Sequence, residues 1–215
     1  MRKLVSKEEE RKKERKKQTL VGVILIGVLV ASVFGIFVNS FGKDNASGGV
    51  INYKGFSFQY NQGLWYTQIN NQQFAFLHNP EEIKNIITNS SDISIQGNIK
   101  SINNYKDKPL YVYSENYNAQ AEIYRNLYNS ALRTQEACPN QEIKKEHLEA
   151  NKTDCSEDWP VKNCEENFII INQINENSTI NEKIIQKDNC LVITSKENKI
   201  DKITDKVLLK IIGIE

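Results

Sequence analysis

The longest hydrophobic segment of the chain is an uncharged run of 20 residues, 19–38, which lies between Lys17 and Lys43. Twenty helical residues at about 1.5 Å each can cross a hydrocarbon core roughly 30 Å thick. The pattern therefore predicts a transmembrane helix. A cleaved signal peptide is the alternative, but its apolar part is shorter, and here the run continues past the small residues Ala31 and Ser32.

The charges that flank this segment predict its orientation. Residues 1–18 contain nine Lys or Arg and four Glu, whereas only Lys43 follows the segment within the next dozen residues. Because basic residues stay on the cytoplasmic side, we expect a cytoplasmic tail, a signal anchor, and residues 39–215 outside the cell. The sequence thus predicts a single-pass protein of the cell membrane, with the lipid bilayer as its first partner.

A pilin-like subunit is a further interpretation, because pilins also begin with a basic leader followed by an apolar helix. Their leader usually ends in Gly or Ala, and a Glu often follows five residues later. Here Lys17 precedes Gln18, and Gly22 occupies the position of that Glu. Both departures argue against this alternative.

Small residues recur on one face of the predicted span. Gly27, Ala31 and Gly35 follow one another at intervals of four and so form a stripe along the helix. Such a stripe lets two helix backbones approach closely, which favours a homodimer through the transmembrane helix. The alternative is that Gly and Ala are simply common in membrane spans.

An ordered outer domain is expected at 50–215, because the preceding residues 39–49 have the composition of a linker. Its first part, 53–77, alternates aromatic and polar residues with the period of a half-buried strand. Turns at 61–63 and 70–71 divide this part into a meander of three antiparallel strands.

Helical and strand periods alternate in the rest of the domain. Asn79 and Pro80 can cap and open a short helix. Apolar residues at a spacing of 3.6 predict longer helices at 117–137 and 198–212. Residues 138–163 are polar and predict a loop. The remaining strands are expected at 93–95 and 110–114 and in a second antiparallel meander, 168–172, 179–186 and 190–194. This pattern is typical of an α+β ectodomain with two longer helices and one short helix packed on one face of antiparallel strands.

Composition and charge narrow the class of protein. The 215 residues are 39% hydrophobic and include only 10 Gly and 4 Pro, which excludes collagen-like and fully disordered chains. The overall net charge of +1 combines a basic tail with a net charge of −4 on residues 19–215. A mildly acidic domain binds nucleic acid poorly, so we expect no nucleic-acid partner.

Known catalytic motifs are missing from the sequence. His78 and His147, its two histidines, have no partner at a metal-binding spacing, and each is expected at the surface or in a turn. Nucleophile and phosphate-binding motifs are missing too, so we assign no catalytic, cofactor or metal residue and expect no cofactor. Glycosidase carboxylates carry no local motif, which leaves an anchored extracytoplasmic hydrolase with a carboxylate site as the alternative.

Aromatic residues are concentrated in the first predicted meander, which holds eight of the 19 in the chain. Alternate members are expected to fill the core. The opposite face, with Trp65 or Tyr66, is the candidate contact patch for a glycan or a protein. We therefore expect a non-enzymatic cell-envelope protein whose outer domain binds or scaffolds another envelope component.

The four cysteines all lie in the predicted outer domain, where an even number is usually oxidised. Their spacings of 17, 9 and 26 residues contain no C-x-x-C pair, which argues against zinc. Cys164 precedes the first strand of the second predicted meander and Cys190 begins its third strand, so both lie at the same end of that meander. The sequence therefore predicts the disulfide Cys164–Cys190 and, by elimination, Cys138–Cys155.

Five segments spread over most of 53–215 are characteristic as a set: GFSFQYNQGLWYTQI, NAQAEIYRNLYNSALRTQEAC, PVKNCEENFIII, DNCLVI and DKVLLKIIGI. Through them the chain resembles a group of uncharacterised, single-pass membrane-anchored proteins of small-genome archaea. The group has no assigned activity, so the resemblance implies the architecture of an anchored ectodomain and no catalytic residue.

Overall fold

The structure of the protein is a computed structural model that describes residues 49–84, 86, 93–148 and 155–215. The predicted transmembrane segment 19–38, with its stripe of Gly27, Ala31 and Gly35, lies outside these residues. Within the ranges just given, no helix has both the length and the apolar composition that a membrane crossing requires.

The elements of the domain follow one another in an α+β order. The helices are α1 (Pro80–Ile83), α2 (Tyr117–Leu127), α3 (Gln141–His147) and α4 (Glu197–Ile211), with a short 3₁₀ helix at Ile102–Asn104. The strands are β1 (Val50–Tyr53), β2 (Phe56–Asn61), β3 (Leu64–Ile69), β4 (Gln72–Phe76), β5 (Ser94–Gln96), β6 (Pro109–Ser114), β7 (Arg133–Glu136), β8 (Cys138–Pro139), β9 (Val161–Lys162), β10 (Asn167–Ile174), β11 (Lys183–Lys187) and β12 (Cys190–Lys196).

The first sheet is an antiparallel meander in the order β1-β2-β3-β4, one strand more than the sequence predicted. Its hairpins turn through two residues, and the predicted turns at 61–63 and 70–71 are confirmed. Asn70 and Asn71 both have positive φ, 49° and 64°, as a tight hairpin with the natural strand twist requires. Asn tolerates this left-handed region better than most residues, which explains the Asn-Asn pair at this turn.

The second sheet is mixed and has the order β5-β11-β12-β10-β6-β7. The predicted second antiparallel meander is wrong, because β10 and β12 are parallel neighbours and only β11 and β12 form a hairpin. Residues Phe168–Ile171 of β10 are fully buried on both faces, which is typical of a central parallel strand. The prediction joined strands that are neighbours in sequence, whereas the sheet places β12 between β10 and β11.

The predicted helix at 117–137 is too long. Helix α2 ends at Leu127, and β7 then runs parallel to β6, so that β6, α2 and β7 form a βαβ unit. Tyr128 and Leu132, which belonged to the predicted apolar stripe, are 62% and 68% exposed. The weak helix formers Asn129 and Ser130 follow α2. Beyond them, the residues of β7 pair with β6 instead of continuing the helix.

Of the remaining helices, α1 and α4 agree with the sequence prediction, whereas α3 was not predicted. Helix α4 confirms the predicted closing helix, and Gly213 follows it with φ +86°. In α1, Asn79 caps the helix by accepting a hydrogen bond from the Glu81 amide, and Pro80 opens it, as predicted. The predicted loop at 138–163 contains α3, which Asn140 caps.

Two hydrophobic clusters cover opposite faces of the mixed sheet. On one face, Ile169 and Ile171 of β10 pack with the meander, α2 and α4. On the other face, Phe168 and Ile170 pack against Ile143 of α3. The helices therefore lie on both faces of the mixed sheet, and the prediction that all of them pack on one face is wrong.

Helix α2 is joined to the edge strand β4 of the meander by a buried amide. The Ala75 backbone N–H donates to Asn126 Oδ1 at 2.9 Å, and Asn126 Nδ2 donates to the Ala75 carbonyl at 2.8 Å. Asn126 thus satisfies both backbone groups of Ala75 at the sheet edge, where no further strand among the described residues pairs with β4. This contact connects the meander to the helices of the domain.

Replacing Asn126 by Leu should lower the free energy of unfolding by roughly 2–4 kcal/mol, because two buried backbone groups of Ala75 lose their partners. Chemical denaturation of the purified protein measures the change. The matched control is Asn118→Leu on the exposed side of the same helix, which should shift the unfolding free energy much less. Equal effects of the two variants would contradict the structural role of Asn126.

Both predicted disulfides are present. Cys138 is bonded to Cys155 and Cys164 to Cys190, with Cα–Cα distances of 5.8 and 4.9 Å. The second pairing is correct for a different reason from the one expected. Cys190 stands beside Phe168 in the parallel pair of β12 and β10, so the chain just before β10 meets the start of β12. Disulfides of this kind indicate an oxidising, extracytoplasmic compartment.

Removing the Cys138–Cys155 bond with paired Ser substitutions should cost about 3 kcal/mol of unfolding free energy in the chain-entropy estimate for this loop. Denaturation of the variant against the oxidised protein measures it. Peptide mapping of the untreated protein under non-reducing conditions should recover the two pairs above. A Cys138–Cys164 peptide or four free thiols would contradict the fold described here.

Candidate functional site

Two neighbouring cavities open at the turn between β3 and β4, and both are lined by Gln72 and Asn129. The first has a volume of about 310 Å³ and extends from the turn to the 3₁₀ helix and to Ile212 after α4. The second, of about 540 Å³, lies between the outer face of β3 and β4 and the C-terminal end of α2. We refer to the two together as the amide groove.

Neutral amide side chains are the most numerous polar groups in the walls of the amide groove, which also include Ser130 and the charged residues Lys106, Asp107 and Arg125. The amides come from the β3–β4 hairpin, the 3₁₀ helix and the residues after α2: Asn70, Asn71, Gln72, Gln73, Asn103 and Asn129. The apolar part of the lining consists of Leu64, Ile69, Phe74, Ala75, Ile102 and Ile212. Each amide both donates and accepts hydrogen bonds, so the groove suits a ligand that is rich in hydroxyl groups.

Local contacts hold the groove in shape. Gln72 Nε2 donates to Ser130 Oγ at 2.9 Å, which ties the β3–β4 hairpin to the segment after α2. The Asp107 amide donates to the Ser130 carbonyl at 3.0 Å, which ties the segment after the 3₁₀ helix to the same place. The groove is therefore built on connected backbone segments that bring distant parts of the sequence together.

The predicted contact patch is divided between two environments. Tyr66 lies on the outer face of β3, is half-buried and lines the groove. Trp65 points to the opposite face, because side chains alternate along a strand. Its ring packs against Tyr60 with centroids 5.1 Å apart and lies against the main core. The structure thus brings Tyr66, and not Trp65, to the groove.

A pair of buried carboxyl groups lies behind one wall of the groove. Glu122 of α2 and Asp205 of α4 are 1% and 0% exposed, and their side chains lie near enough for each to act on the pKa of the other. Within the described part of the chain, Glu122 Oε2 and Asp205 Oδ1 have no hydrogen-bond partner. Two buried carboxylates this near to each other repel strongly, which favours a proton on one of them, and we call these two residues the acid pair.

Two basic side chains flank the acid pair. Arg125, one turn along α2, donates from Nη1 to Glu122 Oε1. His78, just before α1, donates to Asp205 Oδ2 from its backbone amide at 2.8 Å and lies 3.0 Å from the same oxygen through Nδ1. Burial lowers the pKa of His78, so the ring is neutral near pH 7, and Nδ1 carries the proton that it donates.

Burial is the main cause of the unusual acidity of the acid pair. It raises the pKa of Glu122 to about 8 and that of Asp205 to about 7, because a charged carboxylate is costly away from water. Arg125 opposes the shift at Glu122, and the hydrogen bond from the His78 amide opposes it at Asp205. The pair therefore holds at least one proton around neutral pH.

The acid pair meets the amide groove at a single described residue. Arg125 lines the larger cavity, whereas neither carboxyl group belongs to the described lining of the two cavities. A hydrolase with a carboxylate site, which is the alternative function considered from the sequence, requires carboxylates that converge on an open pocket. Here two carboxyl groups and a histidine converge, but the carboxyl groups are sealed beneath the surface.

The second histidine lies in a different place from the one expected. His147 is buried at the end of α3, and its Nε2 is 3.7 Å from Glu146 Oε2. It lines a cavity of about 390 Å³ together with Glu142, Glu165 and Asp188. No group of three or more His, Cys, Asp or Glu side chains among the described residues has the geometry of a metal site. The expectation that His147 lies at the surface is therefore wrong.

Sequence patterns gave little indication of the amide groove or of the acid pair. Asn and Gln are common in turns. They line the groove only because the fold brings three separate chain segments together. Glu122 and Asp205 are 83 positions apart and lie on two different helices. A signal was nevertheless available for Asp205, which lies among the apolar residues Ile203, Val207 and Leu208 on the buried side of α4.

Comparison with protein families, with curated proteins and with solved structures finds no match to this chain.

The acid pair should make the unfolding free energy decrease as the pH rises from about 5 to about 8, against an opposite contribution from His78 and His147, whose pKa values are lowered by burial. The native acid pair binds protons that the unfolded chain, with ordinary carboxyl pKa values near 4, has already released. Asp205→Asn should reduce this decrease by roughly half, because Asn can still accept from His78 and can donate to Glu122. Denaturation at several pH values measures the slope.

The control for this experiment is Asp188→Asn, in the exposed turn between β11 and β12, where the positive φ of 49° suits Asn equally well. This variant should keep the pH dependence of the parent protein. An unchanged slope in Asp205→Asn would show that the acid pair does not hold an additional proton in the native state.

Proposed function

We propose that the protein is a non-enzymatic, membrane-anchored protein of the cell envelope whose outer domain binds another envelope component through the amide groove. A hydroxyl-rich glycan chain is the ligand that the groove fits best. The observation that carries this proposal is the wall of neutral amides from three chain segments, set beside an apolar lining and the half-buried ring of Tyr66. Sugars present hydroxyl groups at their edges and apolar faces that stack on aromatic rings.

The anchor and the compartment support the same proposal. The uncharged segment 19–38 would hold the domain at the membrane, and the basic residues before it would stay in the cytoplasm. Two disulfides agree with an extracytoplasmic position for the domain. A tethered domain of this kind is suited to holding a surface polymer or another envelope protein near the membrane.

Enzymatic hydrolysis receives less support from the geometry. A hydrolase with a carboxylate site needs an acid and a base, or an acid and a nucleophile, that reach the substrate. Glu122 and Asp205 are instead buried near each other, and their polar contacts are made by Arg125 and His78. Their arrangement supports a structural or regulatory role behind the groove.

Binding of envelope glycans to the full chain in detergent micelles tests this proposal. Fluorescently labelled polysaccharide fractions from the producing cell's envelope should bind the protein, and the double variant Gln72→Ala with Asn129→Ala should bind about 30-fold more weakly. These residues line both cavities, and each lost hydrogen bond costs about 1 kcal/mol.

The matched control removes two exposed amides outside the groove, Asn52→Ala with Gln141→Ala, and should leave the affinity unchanged. Denaturation of both double variants checks that they are folded. If glycan fractions do not bind, or if both double variants bind as well as the parent protein, the amide groove is not a glycan site.

A further inference from the structure

We propose that the amide groove prefers ligands that carry a carboxylate, and that Arg125 binds this carboxylate while the acid pair behind it takes up a proton. This inference rests on the proposed function of the groove and adds the chemical class of its ligand and a link to pH. It follows from one juxtaposition: the same guanidinium lines the groove and contacts the buried Glu122.

Arg125 is placed to serve two partners. Its side chain is 33% exposed, whereas that of its partner Glu122 is almost fully buried. A guanidinium carries five N–H donors in a fixed planar fork, and Glu122 receives the one from Nη1. A carboxylate that enters the larger cavity can therefore bind the fork in the bidentate manner that Arg favours.

A ligand carboxylate and Glu122 would compete for Arg125, and this competition changes the net charge around the acid pair. Glu122 is buried, and its ionised form depends on the nearby guanidinium. When the acid pair keeps one negative charge and a ligand carboxylate draws Arg125 into the groove, that buried charge would lose its compensation. Binding a proton at Glu122 or Asp205 removes that charge, and the proton comes from solvent.

The surroundings of the acid pair favour uptake of the proton by the carboxyl groups. Helix α2 supplies Arg125, and the segment before α1 supplies His78, which is neutral near pH 7 because burial lowers its pKa. The other charged groups that act on this cluster lie on α4 and α1: Asp201, Lys202 and Glu82. Asp201 adds negative potential at Asp205, which favours the protonated form of that carboxyl group.

Affinity for an acidic ligand should therefore increase as the pH falls. Uptake of one proton on binding changes the affinity by at most about tenfold per pH unit. The carboxylate of an acidic sugar, with a pKa of about 3.5, stays ionised over the range considered. A neutral ligand of the same shape does not compete for Arg125, so its affinity should not depend on pH.

Two probes that differ only in charge provide the test: a tetramer of α-1,4-linked galacturonic acid, and the same tetramer with its carboxyl groups methyl-esterified. Titration calorimetry on the full chain in detergent, at about pH 5.5 and about pH 7.5, gives the affinities. The acid should bind roughly tenfold more tightly at the lower pH, and the ester equally at both. Repetition in buffers with different ionisation enthalpies should show net proton uptake with the acid alone.

Two variants separate the parts of this inference. Arg125→Gln should abolish the preference for the acid over the ester. Glu122→Gln, which leaves no competing charge for Arg125, should bind the acid at about pH 7.5 as tightly as the parent protein does at about pH 5.5. Because the proton count is measured on the unmodified protein, the test does not depend on whether the variants fold.

The outcomes distinguish this inference from the function on which it rests. Equal binding of acid and ester at both pH values would overturn the carboxylate preference and leave the groove a glycan site. Preference for the acid without proton uptake would overturn the role of the acid pair. If neither tetramer binds, the carboxylate preference is wrong, and the envelope fractions described above decide separately whether the groove binds glycans.

Discussion

Helix α2 is held between the two sheets of the domain by buried polar groups, and the rest of the structure depends on this arrangement. Its apolar side packs into the main core, but its position is fixed by Asn126, which bonds the edge strand β4, and by Glu122, which meets Asp205 of α4. Hydrophobic contact alone leaves a helix free to slide or rotate. Hydrogen bonds to specific backbone and carboxyl atoms remove that freedom, because a displaced partner would be buried and unpaired.

The amide groove is a consequence of this position. One wall is the β3–β4 hairpin, which Asn126 draws towards α2, and the other is the C-terminal end of α2 itself. Arg125 is adjacent to Asn126 and faces the groove, while Glu122, one turn earlier, faces the interior. Sheet attachment, the proposed ligand contact and the acid pair thus involve residues within two turns of one helix.

The parts of the fold that the sequence predicts are those governed by local rules. Tight turns at 61–63 and 70–71, the capped start of α1 and the apolar face of α4 all depend on residues close together in the chain. The order of the strands does not. Residues Phe168–Ile171 carry no alternation to show which face is buried, and the parallel partner of β10 is decided by long-range packing. The acid pair was out of reach for the same reason, since nothing near Glu122 in sequence indicates Asp205.

Direct titration of the buried carboxyl groups tests the central claim, that Glu122 and Asp205 hold a proton between α2 and α4. Carbon-13 NMR of side-chain carboxyl groups, on the full chain labelled in Asp and Glu and assigned with Glu122→Gln and Asp205→Asn, follows each group as the pH changes. We predict that at least one of the two titrates well above pH 5, that is, well above the ordinary range of an Asp or Glu carboxyl group. Titration of both Glu122 and Asp205 near pH 4 would contradict the account.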